Sequence, residues 1–322
     1  MIDTTYSTYY IMGVLGFFGL AYGGNVLVKG TVQTANSLNI PAHLIAITIV
    51  ALGTSAPELF VSVVAVIEGS PDIAWGNVVG SNIANLLLVI GGASLFITLT
   101  DNSKSLRLDI FWMAFSTILI YLCGYFFDGI SNIVGLFLII FLIFILIFMA
   151  LNSEKNHEKP NSEIKKEYNN FSPLIKGLFF TFGGIITVLI ASAMLVYSAN
   201  KISISFGIEE SLIGVTIVAL GTSLPEISAS VAAARKGYPD IAIGNVLGSN
   251  LFNSLGILGA SSIASHPLIL QTPQAFINYD LPIMLFCTII LGSCLFYFKK
   301  INRVFGPILI FIYMIYIINN FL

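Results

Sequence analysis

Charge is what this sequence has least of. Of 322 residues, 9% are Asp, Glu, Lys or Arg and 57% are hydrophobic, whereas a soluble domain carries about 25% charged residues. That shortage excludes a water-facing globular surface and makes the chain a polytopic membrane protein. The net charge of −2 and the lack of any basic cluster give nucleic acid nothing to bind. Cys123, Cys287 and Cys294 lie in apolar runs without metal-ligand spacing, so they read as ordinary membrane-core residues. The N-terminus, MIDTTYSTYY, has no positive n-region. The apolar run after it is too long for a signal peptide, so the first segment is expected to stay in the membrane.

What is present in quantity is apolar sequence in span-length pieces. Stretches of roughly 20 residues cross a bilayer, and ten can be placed: about 10–29, 43–67, 72–98, 108–127, 131–151, 174–200, 210–234, 240–264, 280–298 and 304–321. A polar connector, 152–172 (NSEKNHEKPNSEIKKEYNNFS), divides them five and five. The expected domains are therefore 1–151, the solvated linker 152–172, and 173–322. With both termini outside, Lys29, Lys104, Arg107, Lys155, Lys159, Lys165, Lys166, Lys176, Arg235, Lys236, Lys299, Lys300 and Arg303 face the cytoplasm, and Lys201 faces out. Thirteen against one is a strong bias under the positive-inside rule.

The chain repeats itself. Shifting Ile45–Gly91 by 168 residues lays it on Ile213–Gly259 without a gap, with 28 of 47 positions identical. The shared core is TIVALGTSxPE, then SV, then GxPDIAxGNVxGSNxxN. Gly, Pro, Asn, Ser, Asp and Glu carry the identity, which excludes apolar low complexity. Five spans per copy is an odd number, so the copies should enter the membrane from opposite sides. Inverted repeats with interrupted helices mark transporters that hold their substrate near the midplane. The expected fold is an all-α integral membrane protein: ten transmembrane helices in two inverted five-helix repeats, with helices 2 and 7 interrupted.

The interruption is written in GTSAPE (Gly53–Glu58) and GTSLPE (Gly221–Glu226). Pro57 and Pro225 lack the N–H owed to the carbonyls of Gly53 and Gly221, and their rings clash there. Carbonyls over Ala51–Thr54 and Ala219–Thr222 should be freed, which lipid does not tolerate unless they line a cavity or are buried in protein. Glu58 and Glu226 begin the second half-helices, where the dipole favours an ionised carboxylate. Glu58 lies 12 residues before Ser70, about 18 Å in; Ser81 lies 9 residues after Asp72, about 14 Å in, with Asn85 a turn deeper. Glu226, Ser249 and Asn253 repeat the pattern. Thr54 and Ser55 share a helix face with Glu58. Carboxylates, hydroxyls, amides and freed carbonyls then form an all-oxygen cage, which suits Ca2+ better than Mg2+. The want of imidazole or thiolate argues against Zn2+ or Cu2+.

These paired GTSxPE and GSNxxN segments resemble the two alpha-repeats of the sodium/calcium exchangers, of prokaryotic type, in the cation/Ca2+ exchanger superfamily. The resemblance implies a plasma-membrane antiporter exchanging several Na+ for one Ca2+ by alternating access, with no cofactor. It implies that Glu58 and Glu226 bind Ca2+ with the carbonyls of Thr54 and Thr222. Ser55, Ser81, Ser223 and Ser249, with the carbonyls of Ala51 and Ala219, would line Na+ positions, and Asn85 and Asn253 would complete the centre. Potassium-dependent animal exchangers carry Asp where this chain has Asn253, so K+ independence is expected. The short linker lacks the long calcium-sensing insertion of animal exchangers, so no regulatory domain is expected.

Blander roles accompany these. Gly76/Gly80 and Gly244/Gly248 have the spacing of close helix packing. For Asn77, Asn82, Asn245 and Asn250, interhelical hydrogen bonding and direct ligation are equally open. Asp72 and Asp240 read as helix-start residues, His43 and His266 as interfacial, and Trp75 as a packing or interfacial aromatic. A proton/calcium antiporter or a K+-dependent exchanger of the same fold is the alternative function. The proton branch, however, resembles GNxxE-type motifs. A cation channel fits a closed midplane cage less well, and an enzyme would need a nucleophile–base pair that the sequence does not provide.

Overall fold

The computed structural model describes residues 4–101, 103, 105–152, 173–205, 219–265 and 269–321. The linker and the first part of the expected seventh span (210–234) lie outside the described residues, as does His266. The described helices are α1 (Thr4–Leu38), α2 (Ala42–Thr54), α3 (Ala56–Ile67), α4 (Pro71–Ser94), α5 (Leu106–Phe127), α6 (Asn132–Leu151), α7 (Pro173–Ser205), α8 (Ala219–Thr222), α9 (Leu224–Arg235), α10 (Pro239–Ala264), α11 (Phe276–Phe298) and α12 (Phe305–Phe321). Seven are long and apolar enough to cross a membrane, and α2 with α3 makes an eighth, bent by 42°. The apolar helix at Phe305–Asn319 is shorter.

Two helices outrun the spans expected of them. α1 has 35 residues and α7 has 33, about 50 Å each at 1.5 Å per residue, against a hydrocarbon core of about 30 Å. Hydropathy ends the first span at Lys29, but the helix continues because its polar tail is packed against α7. Thr34 Oγ1 meets Thr181 Oγ1 at 3.3 Å and Thr31 Oγ1 donates to its own helix at Leu27 O, 3.0 Å. Asn39, at φ 54°, ends the run, with the Ile40 N–H returned to Ala35 O, an αL helix stop. Along the seam small residues let the backbones approach. A Cβ on Gly16 would lie 2.8 Å from Ala191 O, and one on Gly19 2.8 Å from the Ala191 Cβ.

The centre belongs to α4 and α10. Their span windows are 78% and 89% buried, against 28–39% for the other long spans. A helix at the periphery keeps apolar side chains exposed, as at Phe60, Phe127 and Ile133; one surrounded by protein is free to carry amides and hydroxyls on several faces. π-helical turns fall at Ala46–Val50, Asn85–Val89, Phe252–Ile257 and Phe276–Asp280, and such turns are frequent at functional sites. Four short strands add to the all-α expectation. β1 (Leu99–Thr100) pairs antiparallel with β4 (Lys300–Ile301), and β2 (Gly129–Ser131) with β3 (Ile269–Gln271). Each ladder joins one strand from each half of the chain.

Candidate functional site

Ser55, at φ −83° and ψ 6°, alone separates α2 from α3, and Ser223 (φ −86°, ψ 0°) separates α8 from α9. Pro57 and Pro225 sit in the first turn of the helix that follows, where a missing N–H is harmless, and Glu58 and Glu226 share that turn. The break is tighter than the prolines alone imply. Ala51 O accepts the Ser55 N–H at 3.0 Å. The Thr54 hydroxyl, 3.3 Å from Ala51 O and 3.4 Å from Asn245 Oδ1, can donate to only one of the two, so the carbonyl is not bare but keeps a lone pair when that hydroxyl turns to Asn245. Gly221 O, the carbonyl that Pro225 cannot serve, accepts the Ser192 hydroxyl from α7 at 2.9 Å. Protein donors thus satisfy part of the backbone that the sequence leaves open.

Ala51, Thr54, Ser55 and Glu58 on α2 and α3, Ser81 and Asn85 on α4, Thr222, Ser223 and Glu226 on α8 and α9, and Ser249 and Asn253 on α10 are all buried. Ala219 opens α8. The two halves interlock at these residues. Ser55 Oγ donates to Glu226 Oε1 at 3.0 Å, and Ser223 Oγ reaches Ser81 Oγ at 3.5 Å. The Thr222 hydroxyl faces the Glu58 carboxylate, and Thr54 and Ser249 face that of Glu226. α3 packs on the π turn that carries Asn253, and α9 on the one that carries Asn85. A chain 168 residues apart in sequence is brought to one point.

Several polar atoms there have no hydrogen-bond partner among the described residues. They are the oxygens Glu58 Oε2, Glu226 Oε2, Asn85 Oδ1, Ser249 Oγ and Asn253 Oδ1, together with the Asn253 amide nitrogen. A buried acceptor left alone costs about 1–3 kcal/mol, more when charged. Five such oxygens, two of them from the carboxylates, make a cluster that a cation would complete. Among the described residues no group of three or more His, Cys, Asp or Glu is placed to hold a metal ion.

The structure gives all four open amides, Asn77, Asn82, Asn245 and Asn250, hydrogen bonds between helices. Asn85 Nδ2 donates to Asn250 Oδ1 at 3.0 Å, Asn250 Nδ2 to Asn82 O at 3.4 Å, and Asn82 Nδ2 to Ser254 Oγ at 3.0 Å. Asn77 and Asn245 donate to Ser62 Oγ and Ser230 Oγ at 2.9 and 3.0 Å. The signal for these serines was present, since Ser62 and Ser230 are identical under the repeat shift. Gly248 packs tightly on α2, where a Cβ would lie 2.7 Å from that of Ala51. The positions matching that contact for Gly76 and Gly80 fall at 211–219, of which all but the last are outside the described residues. Trp75 is fully buried, a packing residue.

His43 corrects an expectation. It is buried, not interfacial, with Nε2 2.8 Å from Asp109 Oδ2 and Nδ1 2.9 Å from Asp101 Oδ2. Nothing local in the sequence announces this, because the two carboxylates arrive from the start of α5 and the loop before it. Burial pushes the Asp101 carboxyl up, but the hydrogen bond and charge of His43 and the Ser103 contacts outweigh it and hold it below the usual carboxylate range.

Comparison with known proteins agrees with this geometry. The family model described as sodium/calcium exchanger protein matches residues 8–151 and 176–322. CaxA of Alkalimonas amylolytica is 33% identical over 314 residues, covering 95% of this chain and 96% of that protein. The sodium/calcium exchanger MaX1 of Methanosarcina acetivorans is 30% identical over 356 residues, covering 97% and 98%. A solved structure of the sodium-calcium exchanger NCX_Mj, soaked with Na+ and Ca2+, superposes with a TM-score of 0.83 at 29% identity, over 96% of this chain and 97% of that one. The chain belongs to the sodium/calcium exchanger family.

Proposed function

We propose that this protein is a secondary antiporter that exchanges Na+ for Ca2+ by alternating access across the cell membrane, electrogenically and without K+. The observation that carries the reading is the buried cluster of unpartnered oxygens around Glu58 and Glu226. Hard cations take oxygen ligands, and Ca2+ accepts six to eight of them in flexible geometry. In this reading Glu58, Glu226 and the carbonyls of Thr54 and Thr222 hold Ca2+. Ser55, Ser81, Ser223 and Ser249, with the carbonyls of Ala51 and Ala219, line Na+ positions, and Asn85 and Asn253 close the centre. The Ala51 carbonyl, which accepts the Ser55 N–H, serves through its other lone pair while the Thr54 hydroxyl is turned to Asn245.

Charge sets the coupling. Two carboxylates give the cage a formal charge near −2, which one Ca2+ neutralises and three Na+ would carry to +1. Exchange of that kind moves net charge. Asn253 brings no third carboxylate to attract K+. The architecture proposed is ten spans in two inverted five-helix repeats, with both termini outside and the linker 152–172 in the cytoplasm; the hydrogen bonds repeated at a 168-residue shift support the two-fold relation. The test is Ca2+ uptake by proteoliposomes under imposed Na+, K+ or H+ gradients. Uptake driven by Na+ alone and responsive to membrane potential is expected. Uptake driven by H+, or an absolute requirement for K+, would replace this reading with the corresponding antiporter.

A further inference from the structure

We infer that Asn77 and Asn245 are positioning residues for the exchange, each clamping the half-helix of one site glutamate to the helix break of the opposite repeat. The inference rests on the exchange reading above and adds two residues to its machinery. Asn77 lies on α4 one turn before Ser81 and two before Asn85, so the three share a face. Its Nδ2 donates to Glu58 O at 3.0 Å and to Ser62 Oγ at 2.9 Å, and its Oδ1 accepts the Thr222 hydroxyl at 3.3 Å. Asn245 repeats every arm: Nδ2 to Glu226 O at 3.5 Å and to Ser230 Oγ at 3.0 Å, and Oδ1 from the Thr54 hydroxyl at 3.4 Å.

The chemistry asks for Asn. Two donor hydrogens and an acceptor on one short planar group satisfy two acceptors on one side and a hydroxyl on the other. Asp would set a carboxylate against the Glu58 carbonyl, and Ser or Ala would drop at least one arm. Both donor hydrogens of each amide are spent on the frame and its oxygen accepts a threonine hydroxyl, which sets these residues to hold the ligands rather than the ion. The clamp fixes a particular gap. Thr222, held by Asn77, faces the Glu58 carboxylate, and Glu58 is itself held by Asn77 through its main chain. The same holds for Thr54, Asn245 and Glu226. An ion that draws six to eight oxygens to 2.3–2.6 Å loses affinity when that gap slackens, while the helices that move around it are untouched.

Na+-gradient-driven Ca2+ uptake in proteoliposomes tests this, with KM and maximal rate per folded transporter measured for Asn77→Ala, Thr222→Val, the double variant and Thr222→Ser. Each single loss should raise the Ca2+ KM about tenfold, the factor for roughly 1.4 kcal/mol, with the maximal rate within about twofold. The double variant should cost clearly less than the two single losses combined, because both remove the bond between Asn77 and Thr222. Thr222→Ser keeps the hydroxyl and should restore the KM. Asn245→Ala with Thr54→Val repeats the test should Asn77→Ala not reach the membrane. An unchanged KM, additive losses, or a fall in maximal rate alone would overturn the clamp. Glu58→Gln is run alongside: Ca2+ uptake persisting there overturns the exchange reading itself, whereas loss of uptake there with a normal KM in Asn77→Ala overturns the clamp alone.

Discussion

Neutralising either glutamate should silence the protein. In Glu226→Gln the shape is kept, and one amide oxygen can still accept the Ser55 hydroxyl now 3.0 Å from Glu226 Oε1. What is lost is the charge, together with the unpartnered Oε2, which becomes an oxygen or an NH2 group facing a would-be cation. Two unit charges 4 Å apart interact by about 4 kcal/mol at an effective dielectric of 20, and removing one partner of a buried charged group costs about 3–5 kcal/mol. At 1.4 kcal/mol per decade that is a loss of roughly 100- to 4,000-fold in Ca2+ affinity. The near two-fold arrangement predicts the same order for Glu58→Gln. Calorimetric titration of Ca2+ into purified protein reads the affinity, flux in proteoliposomes reads exchange, and gel filtration with circular dichroism confirms that the variants are folded. Near-normal Ca2+ flux in either folded variant would refute a shared site.

Other outcomes follow from the same geometry. Asn253→Asp places a third carboxylate beside two others; like charges that cannot all ionise raise one pKa, so uptake should become more sensitive to pH, read as flux from about pH 6 to 8. A pH profile identical to that of the unmodified protein would refute this. α9 is held against α1 by the Ser228 hydroxyl on Leu20 O and Lys236 Nζ, just past its end, on Asn25 O, both at 2.7 Å, so cysteines placed across this seam at positions other than its close-packed glycines should crosslink in a background without the native cysteines. If α1 and α7 slide against a static core, the crosslink stops exchange and leaves Ca2+ binding intact; full exchange after complete crosslinking counts against sliding. Asp101, with its folded pKa lowered, contributes stability that is complete above the unfolded carboxylate value of about 3.9 and fades as pH falls through the lower folded value. Thermal unfolding of Asp101→Asn against the unmodified protein should therefore show a gap at neutral pH that closes in strong acid.

Much of the site could be read before any fold was known. The 28 of 47 identities located both breaks, and prolines 57 and 225 do fall in the first turn of α3 and α9. Charge scarcity and apolar run length gave the membrane class and, among the described residues, seven long spans and one bent pair, and depth counting expected Glu58, Ser81 and Asn85 deep in the membrane. The ends of α1 were misjudged because hydropathy measures exposure to lipid, and Thr31–Leu38 is helical by virtue of what α7 offers it.

What the sequence by itself determined were the properties set within a few turns of helix: where a proline withholds an N–H, which residues share a face, and which segments are too apolar for water. Tertiary structure alone decided the pairings. Asn77 could have faced the ion or the frame, and its bonds to Glu58 and Thr222 choose the frame. His43 could have lain at the interface, and Asp101 and Asp109 bury it. Ala51 could have offered a bare carbonyl, and the Ser55 N–H caps it. A hydrogen bond between positions 145 residues apart has no local cause; it exists because two similar halves pack so that each one's polar atoms meet the other's.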